Sequence, residues 1–173
     1  MTGDSGVPPP TAAAVELAAR LAQRLSLDFL DADTEFEAAA GCTIAEYFAA
    51  HGEAAFRDGE RKVIARLLDG PQCVLATGGG AFCDPATRAR IKAAAVSLWL
   101  RADLDLLVKR TSGRDHRPLL KQGDPREILE RLMTARYPLY AEADVVVDTT
   151  DEPPDNTVDQ AVTALAEFLE HPS

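Results

Sequence analysis

Short apolar runs alternate along the chain with stretches whose apolar residues recur every three to four positions. Leu17, Leu21 and Leu25 stand four apart, the spacing of one helix face, and Thr11 can cap that helix. Residues 27–30, apolar except for Asp28, predict a short strand. Thr43-Ile44-Ala45-Glu46 has the form of a capping box, which opens a helix to about residue 50, and a second helix, 53–68, follows directly. Residues 73–76 predict a buried strand, 85–95 a helix, 96–100 a strand and 103–111 a helix. Residues 112–124 mix Gly, Arg, His, Lys and Pro without periodicity and read as a mobile loop. A helix over 126–137, a β-branched strand over 145–147 and a closing helix over 157–169, with Thr157-x-x-Gln160 at its start, complete the pattern. Short apolar strands separated by helices predict an α/β fold built on a parallel sheet with helices on both faces. Residues 1–10, with Pro8-Pro9-Pro10, read as a disordered or extended lead, and 11–173 as a single domain.

One junction concentrates the candidate chemistry. The strand Val74-Leu75-Ala76 runs into Thr77-Gly78-Gly79-Gly80, and three consecutive glycines at a strand end bring bare backbone up against something small. A tight strand-to-loop turn with no ligand is the plain alternative. The formal net charge of −10 argues against nucleic acid or an anionic membrane as the main partner and makes the arginines near such a site stand out. No apolar run reaches the 18 to 20 or so residues of a membrane span. Cys42, Cys73 and Cys83 are odd in number and lack C-x-x-C spacing, which fits a reducing cytoplasm and no role as metal ligands.

Four further strings surround the glycines. Asp31-Ala32-Asp33 follows Phe29-Leu30, and Gly52-Glu53-Ala54-Ala55-Phe56-Arg57 comes next. Arg114-Asp115-His116-Arg117-Pro118-Leu119-Leu120 and Arg136-Tyr137-Pro138-Leu139-Tyr140 lie beyond. Carboxylates at i and i+2 point to one side if strand geometry persists through them, so Asp31 and Asp33 can share a site. Taken singly, an acidic turn, surface arginines in salt bridges and a charged loop are the ordinary readings. His116, set between arginines, reads as solvated, and Trp99, in an apolar strand, as core.

In that order and at those spacings, from about Leu17 to Leu165, the set closely resembles the shikimate kinases. The resemblance implies a P-loop-kinase-like parallel sheet of strand order 2-3-1-4-5, substrate-binding helices over about 33–61 and a lid over about 112–124. It implies ATP-dependent phosphorylation of the shikimate 3-hydroxyl in chorismate and aromatic amino acid biosynthesis, by a cytoplasmic monomer. Asp33 would accept the hydroxyl proton, and Arg57 and Arg136 would grip the substrate carboxylate, a planar anion suited to a guanidinium fork. The backbone N–H of Gly79 would meet the substrate. Asp31 would help to hold Mg2+ through water, and Arg117, assisted by Arg114, would close over the nucleotide phosphates.

The chain departs from that pattern at its amino end. A phosphate-binding loop, G-x-x-x-x-G-K-[ST], uses glycines to expose backbone N–H groups, a lysine for the β and γ phosphates and a hydroxyl for Mg2+. Counting back from Leu21, the lysine falls on Ala14, the hydroxyl on Val15 and the glycines on Pro8, Thr11 and Ala13, and no apolar run before them can form the first strand. Three accounts follow: a shikimate kinase whose amino end is shifted in frame or replaced, so that ATP and Mg2+ use is impaired; a non-catalytic binder that keeps the substrate grip; or a partner-binding relic whose sheet centre another chain covers.

Overall fold

The computed structural model describes residues 12–111 and 124–171, which divide between Ala95 and Val96 into two compact units. The first runs α1 (Ala12–Leu25), β1 (Asp28–Asp31), α2 (Ala32–Ala40), α3 (Ile44–Leu68), β2 (Cys73–Ala76), α4 (Gly79–Cys83) and α5 (Pro85–Ala94). The second runs β3 (Leu98–Arg101), α6 (Leu104–Thr111), α7 (Pro125–Tyr140), β4 (Val145–Asp148) and α8 (Pro154–Glu170). The architecture is α/β, and every strand pair is parallel. β1 pairs with β2 from Asp28 opposite Cys73 to Asp31 opposite Ala76, and β3 pairs with β4 from Leu98 opposite Val145 to Arg101 opposite Asp148. No strand precedes α1 among the described residues.

In the first unit α1 lays Leu17, Leu21 and Ala22 against the sheet, as the four-residue leucine spacing requires. Two apolar clusters hold the remainder. Ala32, Ile64, Ala81 and Ile91 form one, and Phe36, Phe56 and Val63 the other, with Phe36 edge-on to Tyr47 and Phe56 at centroid distances of 5.0 Å. In the second unit Val145 and Val147 point inward while Val146 is exposed, and α8 covers β4 with Val158 and Ala161.

Several elements differ from expectation for identifiable reasons. Helix α2 escapes the periodicity reading, although it falls in the stretch of about 33–61 where the resemblance implies helices: Asp31 caps its start and Gly41, at φ 71°, ends it, but its alanine-rich body carries a single large apolar residue, Phe36. The expected helices 43–50 and 53–68 are one element broken at Gly52, whose φ of 78° and ψ of 178° belong to a region that side chains avoid. Replacing Gly52 by Ala should cost about 1 to 3 kcal/mol, read as a lower urea midpoint with an unchanged slope. Helix α7 continues past Pro138 to Tyr140, and α8 begins at Pro154 rather than Thr157, which is buried. The expected lead over 1–10, the Thr11 cap and the lid up to residue 123 lie outside the described residues.

Candidate functional site

The carboxylate pair meets by a route other than strand alternation. The strand ends at Asp31, and the chain turns at once into α2, so Asp33 lies in the first helical turn. Asp31 Oδ1 accepts the Asp33 backbone N–H at 2.9 Å, which caps the helix and holds the two acids side by side. Burial, then the negative charges of Asp31, Glu60 and Glu37, push the Asp33 carboxyl up to about 6, while Arg57 pulls it the other way.

Arg57 comes from the second half of α3 and packs beside the aromatic cluster that joins α3 to α2. Its guanidinium lies over the Phe56 ring, 5.1 Å from the centroid. Its Nη1 donates to Glu60 Oε2 at 2.6 Å, and its Nε lies 3.9 Å from Glu53 Oε1. The Arg57 side chain is only 16 % exposed and that of Glu60 9 %, so the pair is a sheltered one with its charges partly matched. Glu60 and Glu37 are acidic neighbours of Asp33 that motif reading passed over. The signal for Glu60 was its position three residues after Arg57, on the apolar face that continues through Val63 and Ile64.

The glycines reach the same place. Gly78 precedes α4, and Gly79 and Gly80 form its first residues without left-handed backbone at any of the three. What the bare backbone admits is the arginine: an ideal Cβ on Gly80 would lie 2.7 Å from both terminal nitrogens of Arg57. The Gly79 carbonyl accepts the Cys83 thiol at 3.4 Å. Asp33, Arg57, Glu60 and the α4 glycines thus form one constellation in the first unit. It pairs a carboxylate that takes up protons near neutral pH with a sheltered cation, a combination able to orient a hydroxyl and to hold an anion.

Arg136 belongs to the second unit, on α7. It is half-buried and makes no hydrogen bond or ion pair among the described residues. Its neighbour Tyr137 anchors the helix, donating its hydroxyl to the Ala102 carbonyl and meeting the Trp99 ring edge-on at a centroid distance of 4.8 Å. Trp99 is half-buried, with Arg101 over its ring, and lines a shallow open cleft with Met133 and Pro138. Arg114, His116 and Arg117 lie outside the described residues.

Nucleotide and metal fit poorly to what is described. The first turn of α1 is Ala12-Ala13-Ala14-Val15, with neither an ammonium nor a hydroxyl to meet a phosphate. Asp31 already spends one oxygen on its cap, and no group of three His, Cys, Asp or Glu able to hold a metal occurs among the described residues. All three cysteines are free, and no described helix is long and apolar enough to cross a membrane.

The family model for shikimate kinase matches residues 16–166, and a shikimate kinase of Paramagnetospirillum magneticum is 70 % identical over 151 residues, 87 % of this chain and 77 % of that protein. The chain belongs to the shikimate kinase family. A second shikimate kinase, of Rhodopseudomonas palustris, is 54 % identical over 150 residues, covering 87 % of this chain and 74 % of its own length. Among solved structures, a shikimate kinase from Acinetobacter baumannii in complex with shikimate aligns with a TM-score of 0.82 at 32 % identity, over 92 % of this chain and 90 % of that one. Shikimate kinases are phosphotransferases with a P-loop kinase fold, and this chain shares both the class and the fold. The match to the family opens at residue 16.

Proposed function

We propose that this chain carries the acceptor half of a shikimate kinase. The reaction is ATP-dependent phosphorylation of the shikimate 3-hydroxyl, on the route to chorismate and the aromatic amino acids, and the chain as written performs it poorly. The observation that carries the proposal is the meeting of Asp33, its carboxyl raised to about 6, with the sheltered guanidinium of Arg57 beside the α4 glycines. Asp33 takes the hydroxyl proton, since a base with a carboxyl raised toward neutrality is matched to that task. By the family resemblance Arg57 and Arg136 are each assigned to the carboxylate of the acid, a planar anion suited to a guanidinium fork. Gly79 offers its backbone N–H to the substrate.

ATP and Mg2+ are the family's co-reactants, with Asp31 assigned to the metal and Arg117 and Arg114 to the nucleotide. The weak point is the phosphate cradle, where Ala14 and Val15 stand in place of the lysine and the hydroxyl residue. A preorganised electrostatic group of that kind is worth roughly 10²- to 10³-fold in rate, and several are missing together. The protein acts in the cytoplasm as a monomer, with 11–173 as its kinase-like domain.

Calorimetry with shikimate alone tests the acceptor half. The chain should bind the acid, and Arg136→Ala should weaken binding by about 10- to 100-fold, the worth of a charge-assisted hydrogen bond pair. Equal affinity in Arg136→Ala would remove Arg136 from the site. ATP turnover by the unmodified chain at ordinary kinase rates, roughly 1 to 100 per second, would overturn the impairment and require another segment to supply the cradle.

A further inference from the structure

The geometry points to Gly80 as a positioning residue for Arg57: its missing side chain is the seat that fixes where the guanidinium stands, and therefore whether it can meet a planar carboxylate. This deepens the acceptor reading above and rests on Arg57 being part of the carboxylate grip.

Backbone conformation gives no reason for glycine at this position. Gly80 lies within α4, and among the described residues the glycines with left-handed φ are Gly41 and Gly52. Inside a helix glycine is among the worst choices on intrinsic propensity, and alanine the best. The local reason is steric and names one partner. A Cβ at Gly80 would lie 2.7 Å from Nη1, 2.7 Å from Nη2 and 3.0 Å from Cζ of Arg57, and the three nearest atoms all belong to that guanidinium. A second contact holds the same group, because Nη1 donates to Glu60 Oε2 at 2.6 Å and Glu60 is itself buried. The Arg57 head group is thus held by an ion pair and by bare backbone. A side chain that long has many rotamers, and these two contacts select one. Because the clash would fall on the far end of a flexible side chain, adding a methyl group at Gly80 displaces the cation rather than disrupting the fold.

The test compares the parent chain, Gly80→Ala, Arg57→Ala and the double variant by thermal melting and by calorimetry with shikimate. Arg57 is also followed through the 15N–1H resonance of its Nε without ligand. Gly80→Ala should melt within about 3 °C of the parent, bind shikimate about 10- to 100-fold more weakly and shift the Arg57 Nε resonance. The double variant should bind no more weakly than Arg57→Ala, since the two changes act through one group. Parental affinity in Gly80→Ala, or full additivity in the double variant, would overturn the proposal. If Gly80→Ala does not fold while the double variant does, the clash with Arg57 is upheld; if neither folds, Gly80 serves packing and the proposal fails. Absence of shikimate binding by the parent chain would sink the acceptor reading instead. The Nε resonance then decides alone: unmoved by Gly80→Ala, it removes the positioning role.

Discussion

Replacing residues 1–16 by a short apolar strand and a G-x-x-x-x-G-K-[ST] loop leading into Leu17 is expected to yield a chain that phosphorylates shikimate at roughly 1 to 100 per second. That is an increase of at least about 10³-fold over the parent, because a cradle of backbone N–H groups, a lysine and a Mg2+-binding hydroxyl are restored together, each worth roughly 10²- to 10³-fold. The first unit supplies residues that such a loop would serve: the strand-end acid Asp31, Asp33 beside it and Arg57 against Gly80. Stability should rise as well. Among the described residues β2 and β3 each pair with a single neighbour, and a central strand buries several apolar side chains at about 1.5 to 3 kcal/mol each. Coupled-assay turnover and urea midpoints read the two effects. A folded chimera that binds ATP and shikimate but transfers no phosphoryl group would show that the acceptor site has moved to another use, and the kinase reading would be withdrawn.

What the sequence disclosed depended on whether the cause lay nearby in the chain. The strand Cys73–Ala76 was legible because an apolar run ends in glycines, and the capping box at Thr43 because its two hydrogen bonds join residues three apart. The break at Gly52 was legible for the same reason. Asp31 and Asp33 were correctly paired, but by strand alternation, when the bond that joins them is a helix cap; a cap and a strand end share the same Asp-x-Asp spelling. Helix α2 was hidden by composition, since a run of alanines has no face. Pro138 misled at α7, where the helix carries on for two residues beyond it. The partnership of Gly80 with Arg57, 23 positions apart, could not be read at all. A glycine gives no local sign of which side chain it makes room for, and Glu60 looks like any helix acid until its burial is known.

Asp33→Asn is expected to move activity and stability in opposite directions. In the repaired chain it should lower phosphorylation by about 10²- to 10⁴-fold, the range of a lost general base, with shikimate binding much less affected because Arg57 and Arg136 remain. In the unmodified chain, free of Mg2+, the same change should stabilise the fold, and the sign follows from where the proton sits. The folded carboxyl titrates at about 6 against an ordinary value of 3.8. Below about pH 4 the group is protonated in both the folded and the unfolded chain, and the parent suffers no penalty. As the pH rises from about 4 to about 6 the unfolded chain releases its proton first, so the unfolded state gains and the parent loses stability. Above about 6 the loss is complete and constant. Allowing for the partial exposure of the group to solvent, it amounts to about 1 to 2 kcal/mol. Asparagine carries no charge to desolvate and none to set against Asp31, Glu60 and Glu37. The variant should therefore match the parent near pH 4 and exceed it by about that amount above pH 6. Urea midpoints of both chains across this interval decide the matter. A difference that stays the same at every pH would mean that Asp33 is an ordinary surface acid, unsuited to taking a proton from the substrate hydroxyl.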